Sequence, residues 1–582
     1  MVVVVLALGL DGCSARGTGS VPAPELPELD GVDDAFGSEA QTVRFLSQAT
    51  FGARPEDAEG LTGRSASRWF LRELEAPATL LLPRVRAARA AALRAEEEDE
   101  ELEFFIDSTT DAFWKGVLRG EDQLRQRMAW ALSQIFVVSN GGGELLTDVP
   151  EAVAHFEDLL IQGALGNYRD LLESVTYAPA MAYYLTYLGN QKADPSTGRQ
   201  PDENYAREIL QLFSIGVVEL DAGGRPVVRA GRSETYRNED VTGLAKVFTG
   251  LDLDFAGEED DASVGAIWTR PLVVEAEAHS LEEKRFLGTV IPADTLARDS
   301  IRIAIDAIAA HPNVGPFIGR QLIQRFVTSA PMPAYVERVA RAFDDGRFVL
   351  PNGSPVGTGR RGDLTATLAA VLFDVEARRV PSSAEPSFGK LREPVLRLSA
   401  FFRAFEVGEV EPIGFDLLLD SSPVGVLNQH PYRAKSVFNF YRPGYVAAGT
   451  TSGAAGLTAP ELQLVNASSV PGYANTMFEV VFREGREEGG SEEEEEDDEE
   501  PDFDRSVAAR AFLPRLEALQ DLSAEDLIRT IDLRLTYGQM SDSMRSALRA
   551  FLNASGDDLE PVDQVRFALW MTVTSPDFIV QR

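Results

Sequence analysis

Pro201-Asp202-Glu203-Asn204-Tyr205-Ala206-Arg207-Glu208-Ile209-Leu210-Gln211-Leu212-Phe213-Ser214-Ile215-Gly216 reads as an amphipathic helix with an unusual beginning. Ile209, Leu212, Phe213 and Ile215 recur at helical spacing and form an apolar stripe. Asp202 is placed to cap the N-terminus and Gly216 to end the last turn. Between them, Glu203, Asn204, Tyr205, Arg207 and Glu208 crowd into a turn and a half, more than a helix built only for packing needs. Glu203 and Arg207 are four apart and pair on one face, while Glu208 lies on another side. Buried charges serve two ends, and both stay open here: a structural ion-pair network between helices, or a catalytic or ligand-binding cluster.

The flanking sequence places this helix in a largely helical molecule. Residues 216–229 alternate Val and polar residues around Ala222-Gly223-Gly224 and read as a hairpin. Asn238-Glu239-Asp240 reads as the cap of a helix carrying Val241, Leu244, Val247, Phe248 and Leu251. Residues 271–291 look extended and suit a second small sheet. Helices are expected at 295–310, 312–329, 333–344, 363–379 and 388–406. Upstream, Ser38-Glu39-Ala40-Gln41 is a capping box and Pro55 starts a second helix. Residues 122–138 form a strong helix, with Leu124, Met128, Ala131, Leu132, Ile135 and Phe136 buried and Arg125 and Arg127 flanking them. The fold class is therefore mainly α: a multi-helical, bundle-like core with minor β hairpins near 216–229 and 271–291.

The chain has 582 residues, 44% hydrophobic, and a formal net charge of −37. That acidity argues against nucleic acid and anionic lipid surfaces, which select basic patches. Val2 to Leu10 is an apolar run too short to span a bilayer. It leads into Leu10-Asp11-Gly12-Cys13-Ser14, the pattern of a lipoprotein signal with Cys13 as the lipidated residue. The organisation expected is a signal at 1–13, a tether at 14–37, a helical core at 38–483, a disordered acidic insert at 484–504 and C-terminal helices at 505–582. This implies export to the cell envelope and membrane attachment through lipid alone.

The sequence holds no His-Glu-x-x-His, Gly-x-Ser-x-Gly or phosphate-binding loop. Gly357-Thr358-Gly359-Arg360-Arg361-Gly362 reads as a loop, because no buried strand leads into it. In Glu275-Ala276-Glu277-Ala278-His279, alternate residues face one side if the segment is a strand. Glu275, Glu277 and His279 would then hold a divalent cation, or the carboxylates would raise the pKa of His279 as a base; the alternative is the polar face of an exposed strand. His311-Pro312-Asn313 reads as the cap of the following helix.

Several stretches together resemble one bacterial family, the domain-of-unknown-function family DUF1800. They include Arg44-Phe45-Leu46-Ser47-Gln48-Ala49-Thr50-Phe51-Gly52, Glu203-Asn204-Tyr205-Ala206-Arg207-Glu208, Asp240-Val241, and His279 with Lys284 and Leu287-Gly288. Lys390-Leu391-Arg392-Glu393-Pro394 and Ser436-Val437-Phe438-Asn439-Phe440-Tyr441-Arg442-Pro443-Gly444-Tyr445 continue the match. The resemblance implies a mostly helical, exported protein without an established activity. It suggests a partner in another exported family, DUF1501. This chain departs from the DUF1800 pattern in two places, Ser280 where members often have Asp and Ala129 to Gln134 where many carry His and Trp, which counts against metal or catalytic roles.

Two functions follow as expectations. One is a non-catalytic envelope scaffold with no cofactor. The other is an envelope hydrolase or metal-dependent enzyme, with Glu203, Glu208, Asp240 and His279 as acid/base groups or ligands and Arg207 holding an anionic substrate.

Overall fold

The computed structural model describes residues 32–97, 107–141, 144–228, 231–256, 264–380, 387–405, 427–482 and 515–582. Cys13, nearly all of the tether, and the acidic insert at 484–504 lie outside the described residues.

Helix α1 (Glu39–Ala49) is followed by α2 (Pro55–Leu61), α3 (Ala66–Glu75), α4 (Leu82–Glu97) and α5 (Asp107–Arg119). Next come α6 (Gln123–Ser133), α7 (Glu144–Asp148), α8 (Pro150–Gly163), α9 (Tyr168–Thr176), α10 (Pro179–Tyr184), α11 (Asn204–Gln211) and α12 (Asn238–Val247). Strand β1 (Leu251–Asp252), α13 (Val264–Ile267), β2 (Val273–Val274), β3 (Lys284–Phe286) and β4 (Thr289–Ile291) form the middle. The chain continues through α14 (Ala297–Ala309), α15 (Val314–Phe326), α16 (Pro333–Asp345), β5 (Phe348–Val349), β6 (Pro355–Val356), α17 (Leu364–Phe373) and α18 (Val375–Arg378). Strand β7 (Lys390–Leu391) leads into α19 (Pro394–Ala404), further helices follow, and β8 (Val580–Gln581) comes last.

The molecule is mainly α. Among the described residues the strands pair only in twos, all antiparallel: β1 with β2, β3 with β4, β5 with β6, and β7 with β8. One apolar cluster runs from Phe36 to Phe578, with α15, α16 and α17 packed in series and α6 against α8. Among the described residues no helix is long and apolar enough to cross a membrane.

Local chemistry accounts for most boundaries. Ser38 Oγ accepts from Gln41 N at 3.3 Å, while Gln41 Oε1 accepts from Gly37 N at 3.0 Å, a reciprocal cap displaced by one residue. The segment from 363 to 379 is two helices, because Asp374 leaves the helix and its carboxylate caps Glu376 N at 2.9 Å. Helix α6 stops at Ser133, short of the expected 138. Residues 388–393 are not helical: Pro394 sets the start of α19, and Lys390-Leu391 pairs with Val580-Gln581 instead. The 216–229 hairpin is made of isolated bridges, with Leu220 opposite Pro226 and Val218 opposite Glu234. Gly357 to Gly362 is a loop after a short antiparallel strand, and Asp363 fastens it by accepting from Thr358 N at 2.8 Å.

Asn313 does not cap α15 with its side chain. Its amide instead donates to Ile215 O at 3.0 Å and Val218 O at 2.8 Å, and accepts from Leu220 N at 3.1 Å. A fully buried Asn thereby satisfies the irregular chain that leaves α11.

Candidate functional site

Helix α11 is shorter than its apolar stripe suggests and ends at Gln211. The N-cap of α11 is Glu203, not Asp202; Asp202, one residue earlier, accepts from Asn204 N at 2.7 Å through Oδ1. Glu203 and Arg207 pair at 3.2 Å, with side chains 37% and 40% exposed. Glu203 Oε1 also accepts from Thr242 Oγ1 at 2.9 Å, and Arg207 Nη2 reaches Asn238 Oδ1 at 3.4 Å. These charges lace α11 to the first turns of α12 at the surface. Tyr205 points inward: its ring stacks on Tyr187 with centroids 4.2 Å apart, and its hydroxyl lies 2.7 Å from Thr176 Oγ1.

Glu208 lies on the buried side of α11, with Oε2 lacking a hydrogen-bond partner. Burial pushes its carboxyl up to about 7, against the opposing pull of Arg207. Asp240 is occupied by backbone. Its Oδ2 accepts from Arg237 N and its Oδ1 from Leu287 N, each at 2.7 Å, joining the start of α12 to the β3–β4 turn.

The strand expected around His279 ends at Val274. Residues after it form a turn, with Ala278 N donating to Glu275 O at 3.0 Å. Glu275 and Glu277 are exposed, whereas His279 is buried, so the alternation that would align them is absent. The turn packs on Gly250, whose φ of +81° leaves no room for a Cβ: one would sit 2.9 Å from His279 N. His279 Nδ1 lies 2.8 Å from Thr249 O, which assigns the proton to Nδ1, and Nε2 is buried without a partner. Burial lowers the pKa of His279, the reverse of the raised value expected beside two carboxylates.

Asp240 lies in the first turn of α12 and the His279 contact at Thr249 lies beyond its last residue, so at least about 10 Å of helix separates them. Glu203 and Arg207 meet α12 through Thr242 and Asn238, while Asp240 is taken up by the β3–β4 turn and His279 lies beyond the far end of α12. Among the described residues no group of three or more His, Cys, Asp or Glu is placed to hold a metal ion.

A second gathering of charge lies elsewhere and deeper. Glu393, just before α19, is fully buried. Its carboxylate accepts from Trp130 Nε1 at 3.0 Å, Gln134 Nε2 at 3.0 Å and Gln429 Nε2 at 2.6 Å, with Tyr441 Oη also at 3.0 Å. Burial alone would raise its pKa, but Lys390, Arg127 and these donors hold it below the usual carboxylate range. Lys390 Nζ donates to Arg325 O at 2.7 Å and lies 3.5 Å from Glu461. Arg325 Nη2 donates to Gln134 O at 2.9 Å, and Arg127 stacks over the Phe326 ring at 4.6 Å.

This network ties α6, α15, β7, α19 and the 428–441 segment. Arg127 is inside it rather than flanking the buried stripe of α6. The sequence does carry a trace of it: Arg127 lies between Leu124 and Met128, Arg325 precedes Phe326, and Lys390 and Glu393 share one short motif. A charge within an apolar run marks a buried partner, but not which one.

Chemically, the hub's carboxylate is saturated by donors and shut from water. Glu208 is the group near α11 suited to proton transfer at neutral pH.

No curated protein and no solved structure matches this chain. A family described as protein of unknown function (DUF1800) matches residues 44–580, nearly the whole length, and the chain belongs to it.

Proposed function

We propose that this is an exported cell-envelope protein, lipid-anchored through Cys13, that serves as a non-catalytic scaffold or partner for another exported protein. The observation that carries the reading is the Glu393 hub. A fully buried cluster of ionisable groups is spent on fastening helices, with the carboxylate surrounded by four donor side chains. Asp240 and the Glu203–Arg207 pair are spent in the same way. The partner we put forward is a DUF1501 protein, as the resemblance suggests.

Two measurements test this. Fatty-acid labelling of cells should mark the wild-type chain and not Cys13→Ala. The purified chain, mixed with its purified DUF1501 candidate, should elute as one stoichiometric complex; separate elution refutes that partnership.

A second reading is favoured by one observation. Glu208 combines burial, an unpartnered oxygen and a carboxyl pushed up to about 7 beside Arg207. In that reading it acts as general acid/base of an envelope hydrolase, with Arg207 binding an anionic substrate or intermediate. Hydrolysis of an envelope-derived substrate that Glu208→Gln abolishes, with folding intact, would establish it over the scaffold. A tightly held stoichiometric metal in the purified protein would also displace the scaffold reading.

A further inference from the structure

A cavity of about 330 Å³ opens between the start of the described chain, α1 and α18, lined by Arg44, Gln48, Arg378 and Arg379 with Asp33 and Val375 among the others. Its cations stand out in a chain with a formal charge of −37.

Two of the arginines are bonded through only part of each guanidinium. Arg44 is buried and donates from Nη1 to Ala377 O at 2.9 Å and from Nε to Arg582 O at 2.8 Å. Arg378 stacks over Phe45 at 4.8 Å and Phe36 at 5.5 Å and donates from Nη2 to Asp33 O at 3.3 Å. After these bonds, Arg44 Nη2 and Arg378 Nε have no partner, and neither the Nε2 nor the Oε1 of buried Gln48 has one. The two guanidiniums are close enough to disfavour each other's charge.

Buried donors or acceptors left without a partner are costly. Four of them on residues lining one cavity, two being on like-charged groups, are an arrangement that a ligand completes. Guanidinium N–H groups call for an oxyanion. The Gln48 amide offers one donor and one acceptor, which matches a peptide-like amide. Asp33 on the cavity wall and Asp34, whose charge acts on Arg378, oppose a doubly charged phosphate.

We propose that this cavity binds a carboxylate carried beside an amide, the chemistry of an N-acyl amino acid or of a peptide's C-terminal residue. The carboxylate takes the free N–H groups of Arg44 and Arg378 after a small rotation of each, and Gln48 pairs with the adjacent amide. The volume suits a ligand of one to two residues, at the small end of the range for binding sites. This proposal stands apart from the scaffold reading.

Calorimetric titration of the full chain with N-acetylalanine and with acetyl-Gly-Gly-Ala tests it, with the C-terminal amide of each as control. The acids should bind at least tenfold more tightly than the amides. A preference for N-acetylalanine points to a free acyl amino acid, and one for the tripeptide to a chain end. Arg378→Met and Gln48→Leu should each weaken acid binding at least tenfold. Gln48→Leu also removes two unpaired polar atoms, so its melting temperature should be equal to or above the wild type's, separating lost binding from lost folding. No binding at millimolar acid, equal binding of acid and amide, tighter binding of inorganic phosphate, or unchanged binding by Gln48→Leu overturns the proposal.

Discussion

Glu393 and Glu203 are both carboxylates facing a cation, and their surroundings give them different weights. Glu203 sits in water beside Arg207, with both side chains more than a third exposed. Glu203→Ala should therefore shift unfolding free energy by less than about 1 kcal/mol. Glu393 is sealed with Lys390 and Arg127, so Glu393→Gln leaves Arg127 without its buried counter-charge and Lys390 with Glu461 alone, and should cost about 3–5 kcal/mol. Urea denaturation of the two variants checks the contrast, and equal effects would refute the hub. Glu208 adds a pH effect. Its folded pKa, about 7, lies above the ordinary 4.5, so the folded chain holds this proton more tightly. The stability this contributes is complete below pH 4.5 and is lost as pH rises through about 7. Glu208→Gln should thus gain on wild type in urea midpoint across that interval and hold its gain above it. A constant difference would show that Glu208 titrates normally.

At the scale of elements, α12 is the piece on which the middle of the molecule is hung. Asp240 ties its first turn to Leu287 N, Thr242 and Asn238 meet α11, and Thr249 beyond its end meets His279. Its seat on β3 is tight: a Cβ at Gly243 would stand 1.8 Å from Arg285 O. Helix propensity alone predicts that Gly243→Ala stabilises by about 1 kcal/mol. The backbone contact decides otherwise, since overpacking costs about 1–3 kcal/mol and a carbonyl is not a flexible side-chain tip. A fall in thermal midpoint is expected, and a rise would mean that α12 does not rest on the hairpin.

For the whole molecule, the pairing of β7 with β8 matters more than its size. Lys390 and Leu391 lie opposite Gln581 and Val580, Gln581 Nε2 donates to Phe326 O at 2.9 Å, and Arg392 N donates to Ile579 O at 2.9 Å. The last residues thus close over the same elements that hold the Glu393 hub. Deleting residues 579–582 should lower the melting temperature of the apolar core as one cooperative transition. Scanning calorimetry reads this directly; a deletion that melts only its own neighbourhood, leaving the main transition in place, contradicts it.

The helical class, the Pro-led start of α2 and the Glu203–Arg207 pair were legible in the sequence. Each follows from residues within one or two turns, where spacing and capping act locally. The placement of His279 in a turn, the use of Asn313 as a tie, the strand at Lys390 and the assembly of Arg127, Arg325, Glu393 and Tyr441 were not. Those depend on partners far along the chain, and a buried charge shows its type in the sequence while its counterpart is chosen only when the helices pack.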